Sequence, residues 1–249
     1  MIDLRLGDCL EVMKTIPGGS VDLVITSPPY DKLRDYKGFT FNFEGIAKEL
    51  FRVIKQGGIV VWVVGDQTIN GSESGTSFKQ ALYFKDIGFN IHDTMIYQKK
   101  FYVPLTHRRY EQSFEYMFIF SKDKPKTFNP IMVETTAGGK ISRLTHRKTG
   151  NELVKGTGYN KPRNYFRIKE NVFAYCPDNS GGEHPATFPE PLANDHILSW
   201  SNEGDTILDP MAGSGTTLKM AKLNNRKWCG IEISPEYCEI IKQRLQAKI

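Results

Sequence analysis

Short apolar runs alternate with amphipathic stretches at both ends of the chain. VDLVIT at 21–26 and IVVWVV at 59–64 are continuous apolar segments of strand length, the pattern of strands buried on both faces of a parallel sheet. Residues 4–8 read as a short strand and 9–16 as a helix, punctuated by Pro17-Gly18-Gly19. Ile46, Ala47, Leu50, Val53 and Ile54 recur at helical spacing, predicting a helix over 43–54 that stops at Gln56-Gly57-Gly58. A helix over 77–87 and strands over 91–99 and 114–120 follow. The C-terminal part repeats the theme: helix 192–200, strand 206–209, helix 216–224, strand 228–233 and helix 235–248. This alternation predicts βαβ units in an open, mostly parallel α/β sheet.

Residues 122–183 break the alternation. They are rich in Lys, Arg, Asn, Thr and Gly, and a structureless loop of that length is improbable in a compact domain. The pattern therefore predicts an insert at 122–183 within a main domain made of 1–121 and 184–249. With 249 residues, 39% of them hydrophobic and 24% charged, the chain can bury a full core and is not disordered. No apolar run reaches the roughly 18 residues of a membrane helix, and the first residues show no secretory pattern. The cysteines Cys9, Cys176, Cys229 and Cys238 form no CxxC pair, which argues against a disulfide framework or zinc ribbon and for a reduced, cytoplasmic protein. His92, His107, His146, His184 and His196 lack ligand spacing, so no metal site is expected.

Charge sharpens the picture of the insert. Between Lys99 and Lys169 there are 16 Lys and Arg against 5 acids, whereas the rest holds 17 basic and 23 acidic residues. On charge alone, a solvated Lys-rich surface explains this as well as a polyanion-binding face. The interleaved Phe101, Tyr102, Tyr110, Tyr159, Tyr165 and Phe166 favour nucleic acid.

Two segments carry the candidate chemistry. Thr26-Ser27-Pro28-Pro29-Tyr30 lies where a predicted strand runs out, and Asp209-Pro210-Met211-Ala212-Gly213-Ser214-Gly215-Thr216-Thr217 joins another strand to a helix. Ligands of open α/β sheets bind beyond the carboxyl ends of the strands, so both segments belong on one rim. Alone, Gly213-Ser214-Gly215 is a weak signal, lacking the third glycine of a dinucleotide fingerprint, and a tight strand-to-helix turn would account for it. Pro28 and Pro29 fix φ and remove two N–H donors. The result is a stiff loop that presents carbonyls beside the Tyr30 ring, suited to a planar ring with an amino group; a merely stiffened loop is the plainer explanation.

Together these segments resemble the catalytic and cofactor motifs of the amino-methylating DNA methyltransferases, which transfer a methyl from S-adenosylmethionine to N4 of cytosine or N6 of adenine. SPPY stands for the catalytic motif, and DPMAGSGTT for a cofactor motif usually written DPFxGSGTT, with Met211 replacing phenylalanine. The catalytic motif comes first, a basic insert follows and the cofactor motif is last, an order resembling the circularly permuted β group. Gly7-Asp8-Cys9 resembles the segment beside the cofactor adenine, and Glu49 to Gly58 resembles an ELxRVLKPGG helix end with Gln56 in place of proline. His184 to Pro191 resembles an HPTxKPxxL stretch with Phe188 in place of lysine, and Gly230-Ile231-Glu232 the strand end whose carboxylate bridges the ribose hydroxyls.

The resemblance implies a Rossmann-like methyltransferase fold with a target-recognition insert. It implies catalytic roles for Ser27, Pro28, Pro29 and Tyr30, and cofactor contacts from Asp8, Cys9, Thr26, the 209–217 segment named above, Glu232 and Ile233. Arg34, Arg108, Arg109, Tyr110, Arg143, Arg147 and Lys148 are the candidate DNA contacts. Double-stranded DNA is the expected partner. A homodimer and a cognate endonuclease of a restriction–modification system are further partners the family admits.

The chemistry suits these residue types. An exocyclic amine delocalises its lone pair into the ring; acceptors at Ser27 and the Pro28 carbonyl would stabilise the charge developing on nitrogen. Tyr30 would stack on the flipped base. Cytosine C5 methylation needs a nucleophilic cysteine, usually after proline, and no cysteine here follows one. Serine at the head of the motif leans toward cytosine N4, with adenine N6 the alternative. A methyltransferase acting on RNA, protein or a small molecule would generally place the cofactor motif first and need no basic insert. A catalytically silent DNA-binding relative would not need both motifs intact.

Overall fold

Strand and helix alternate through most of the chain, in the order the apolar periodicity predicts. The elements are β1 (Asp3–Leu6), α1 (Cys9–Met13), β2 (Val21–Thr26), α2 (Phe43–Val53), β3 (Ile54–Val64), the hairpin β4 (Thr68–Ile69) and β5 (Ser72–Glu73), α3 (Thr76–Asp86), β6 (Asn90–Lys99) and β7 (Phe114–Ser121). They continue with β8 (Met132–Glu134), β9 (Thr145–Arg147), β10 (Leu153–Lys155), β11 (Phe166–Ile168), β12 (Val172–Tyr175), α4 (Glu190–Trp200), β13 (Thr206–Asp209), α5 (Thr216–Leu223), β14 (Lys227–Glu232) and α6 (Pro235–Gln246). The computed structural model describes residues 2–29, 41–101, 108–148, 152–176 and 189–246. It comprises two compact units, Met1–Asn129 with Asn171–Ile249, and Pro130–Glu170.

The larger unit is built on an eight-stranded sheet in the order β1-β14-β13-β2-β3-β7-β6-β12. Every neighbouring pair is parallel except the two made by β7, so β7 alone runs against the rest. The central strands are buried on both faces, which is why they read as unbroken apolar runs: Val24, Val60, Trp62, Val63, Leu208 and Ile231 are all sealed from solvent. Helix α2 starts where the Asn42 side chain accepts from Gly45 N–H, and buries Ile46, Ala47, Leu50 and Val53 on one face. On its other flank Arg52 pairs with Glu49 and donates to the carbonyls of Met13 and Ile16, fastening α2 to the end of α1. No helix among the described residues is long and apolar enough to cross a membrane.

Several boundaries shift by one to three residues, β1 and α1 ending earlier than expected, and two differences go further. Gln56-Gly57-Gly58 does not end a helix but lies inside β3, which begins directly after α2. The register against β2 slips there, and Gly57 adopts φ 75° against the 122–126 backbone, where a Cβ would meet Lys124 O at 3.0 Å. The second difference concerns the insert expected at 122–183, because the separate unit spans only Pro130–Glu170. Lys122 is tied to the larger unit by its ammonium, which donates to Phe51 O at 2.7 Å and to Ile54 O. β12 pairs in parallel with β6, Val172 opposite Ile96, and so completes the main sheet. The smaller unit consists of two antiparallel ribbons, β8 with β11 and β9 with β10.

Candidate active site

The sheet order sets the place of the site. After β2 the chain crosses through α2 to β3 on one side, whereas after β13 it crosses through α5 to β14 on the other. β2 and β13 are neighbours, Val24 opposite Leu208, so the connections leaving their carboxyl ends diverge and open a crevice there. Ser27-Pro28-Pro29 leaves β2 at this point, and the glycine turn leaves β13.

A buried tie joins the two segments. Thr26 Oγ1 donates to Asp209 Oδ1 at 2.8 Å, and the same oxygen accepts from Met211 N–H at 3.2 Å. Thr217, also sealed, donates to Ile25 O at 3.3 Å and bonds to the Asp209 carboxylate. Asp209 is only 1% exposed, and burial pushes its carboxyl up to about 6 despite these bonds, which favour the ionised form.

The turn after Asp209 requires its glycines. Gly213 and Gly215 take φ 53° and 81°, and a Cβ on Gly215 would come within 2.9 Å of Ile241. Ala212 N–H donates to Ile231 O, and Gly213 N–H to Glu232 Oε2 at 2.8 Å. Glu232, at the end of β14, also accepts from Ser234 N–H through Oε1 at 2.9 Å. Burial raises its carboxyl above the usual range, these backbone donors opposing the shift. Each oxygen keeps a second lone pair that a ligand hydroxyl can use. Across the β1–β14 edge, Gly7 N–H donates to Glu232 O. Asp8 caps α1, accepting from Leu10 and Glu11 N–H, and burial pushes the half-buried Cys9 thiol up to about 12, making it a small apolar wall and not a nucleophile.

The structure therefore brings Asp8, Cys9, Thr26, Ser27, Pro28, Pro29, the 209–217 turn and Glu232 with Ile233 to neighbouring strand ends of one sheet rim. Pro28 is buried; Ser27 and Pro29 are partly exposed. Tyr30 and Arg34, like residues 184–188, lie outside the described residues. Arg108, Arg109 and Tyr110 precede β7, whose start lies on this rim because it runs antiparallel to β3. Arg143, Arg147 and Lys148 are exposed in the smaller unit.

One clamp behind the turn has no counterpart among the motifs. Arg244 of α6 donates to Ser214 O at 2.8 Å and Ser214 Oγ at 2.7 Å, and its other arm reaches Glu190 at 2.8 Å. Lys219 donates to the same Glu190 oxygen at 2.7 Å. Glu190 belongs to the proline-rich 184–191 stretch, but no local pattern marks Arg244, 54 residues away.

Neither buried carboxylate forms an ion pair with Lys or Arg among the described residues. A crevice with two such carboxylates, a hydroxyl-accepting strand end and a glycine turn fits a cationic ligand carrying a ribose.

Residues 21–243 match the DNA methylase family. The chain is 52% identical over 251 residues to the orphan methyltransferase M.BamHII of Bacillus amyloliquefaciens, covering 97% of this chain and 91% of that one. It is 30% identical over 249 residues to the DNA adenine methyltransferase YhdJ of Escherichia coli K12, covering 96% and 81%. The solved M1.HpyAVI–SAM complex superposes with a TM-score of 0.66 at 26% identity, over 98% of this chain and 100% of that one. The cytosine-N4-specific PvuII DNA methyltransferase shares the fold with a TM-score of 0.73 at 20% identity, over 100% and 88%.

Proposed function

This chain belongs to the amino-methylating DNA methylases, S-adenosylmethionine-dependent enzymes of cytosine N4 or adenine N6, and from that premise we propose that it methylates N4 of cytosine in double-stranded DNA. The observation that carries the choice of base is Ser27, a neutral hydroxyl heading the loop that leaves β2 beside the Asp209 tie. Its oxygen accepts one N–H of the target amine and the Pro28 carbonyl the other, which aims the nitrogen lone pair out of the ring plane. The two prolines contribute no N–H that would compete for those acceptors. By the motif it shares with the family, Tyr30 would stack on the extruded base.

S-adenosylmethionine supplies a methyl group already activated by its sulfonium. The residues that would hold it are the 211–215 turn, Glu232, whose carboxylate would accept from the ribose hydroxyls, and Asp8 with Cys9, on the side of the adenine. The net positive charge of the cofactor complements Asp209 and Glu232, of which Asp209 acts through the surrounding field because it is sealed.

Incubating DNA with enzyme and cofactor, then digesting to nucleosides for mass spectrometry, tests the reading. N4-methyldeoxycytidine is the expected product. N6-methyldeoxyadenosine alone would replace it with the adenine reading, which the likeness to YhdJ favours.

A further inference from the structure

Taking a base out of a duplex leaves a gap in the stack, and an apolar side chain that enters the gap lowers the cost of opening it. The segment after β3 has the properties of such a wedge. Thr26 of β2 lies opposite Trp62, so β3 passes two residues beyond it, to Val64, on the rim where Ser27-Pro28-Pro29 begins. The chain then turns outward into the β4–β5 hairpin, Ile69 opposite Ser72. Its two-residue turn, Asn70-Gly71, has φ 49° and 80°, the left-handed pair that matches the twist of a tight hairpin.

The base of the hairpin is fastened. Ser74 N–H donates to Gln67 O at 2.8 Å, and the Asp66 carboxylate accepts from Ser74 Oγ at 3.1 Å, from Ser77 N–H at 2.9 Å and from Ser77 Oγ. Asp66 thereby holds the hairpin to the start of α3. The tip carries an apolar side chain with no core to join, since Ile69 is 51% exposed. Arg109 donates to the Gly71 carbonyl, which brings the segment containing exposed Arg108 and Tyr110 against the tip. An apolar point held at its base, with the Arg109 guanidinium at its tip, suits a duplex, whose stack is apolar and whose edges are phosphates.

We propose that the β4–β5 hairpin enters the duplex as the target base leaves, Ile69 filling the vacated position while Arg108 and Arg109 face the flanking phosphates. This rests on the DNA-methylating reading and is independent of which amine accepts the methyl. Ile69 takes no part in the chemistry; it bears on extrusion.

The test compares single-turnover methylation of two duplexes carrying the enzyme's mapped site, one fully paired and one with an abasic position opposite the target base. Ile69→Ala is expected to slow methylation of the paired duplex about tenfold, and to come within about twofold of wild type on the abasic duplex, where extrusion is already easy. Ile69→Leu, which keeps the bulk, should stay close to wild type on both. Equal losses on the two duplexes, or no loss on the paired one with the variant folded, would overturn the proposal. Counting methyl groups on either amine keeps this outcome separate from the cytosine assignment; a wild-type enzyme inert on both duplexes would instead strike the DNA-methylating reading.

Discussion

Asp209 shows how one side chain can hold a site together at a cost to stability. Its carboxyl titrates near 6 because burial penalises the charge. The folded state therefore keeps a proton that the unfolded chain, with an ordinary carboxylate, releases near pH 4. Stability attributable to this group falls as pH rises from about 4 to 6 and is level above. Asp209→Asn keeps an acceptor for Thr26 and Met211 but cannot ionise, so urea denaturation across this range should show a flatter pH dependence than wild type. Parallel curves would mean that the Asp209 carboxyl titrates alike in the folded and the unfolded chain. Ser27 presents the opposite case, a small neutral group whose value lies in the reaction. Ser27→Ala should lower turnover by ~10²-fold, as when one transition-state hydrogen bond is lost. S-adenosylmethionine affinity measured by calorimetry should barely change, because the bond strengthens as charge develops on nitrogen. A weakened cofactor with unchanged turnover would place Ser27 in the wrong role. Single positions such as Ser27, Asp209 and Glu232 are legible in the sequence because each sits in a short contiguous motif. Arg244 is not, because its partners Ser214 and Glu190 come from two other elements.

Among elements, the packing of α5 on β14 depends on Gly230. Its φ is not left-handed, so what it provides is room: a Cβ there would lie 2.3 Å from Leu218 Cδ1. Gly230→Ala should destabilise the fold by ~1–3 kcal/mol, the usual cost of overpacking a tight core. Adding Leu218→Ala should return part of that loss, so a double-mutant cycle by urea denaturation with additive penalties would refute direct contact. The helices follow from periodicity because each buries one face, and the central strands from unbroken apolar runs because they are buried on both. Gln56-Gly57-Gly58 misleads for a physical reason: a glycine run can end a helix or form a bulge, and only the 122–126 backbone lying against Gly57 decides between them. The β4–β5 hairpin escapes periodicity altogether, since two-residue strands are too short to alternate, although Asn70-Gly71 is the dipeptide its turn requires.

At the scale of the whole molecule, charge and architecture divide together. The Pro130–Glu170 unit holds nine Lys and Arg against three acids. Replacing Arg143, Arg147 and Lys148 by Gln should weaken DNA binding and flatten the slope of log K against log salt by ~0.9 for each phosphate no longer neutralised. Cofactor affinity should be unchanged; an unaltered slope would make these three ordinary solvated charges. The amino-acid sequence by itself determined the alternating βαβ plan, the two motifs and their order, and hence the family, because each is written in contiguous residues or a local period. Tertiary structure alone decided which strands are neighbours. It placed β12 in the main sheet and confined the separate unit to Pro130–Glu170. It also set Thr26 within a hydrogen bond of Asp209, 183 residues away, and drew Arg244 to the turn. Strand pairing and buried hydrogen bonds of this kind join groups whose separation along the chain carries no local signal, and they form only when the whole core closes around them.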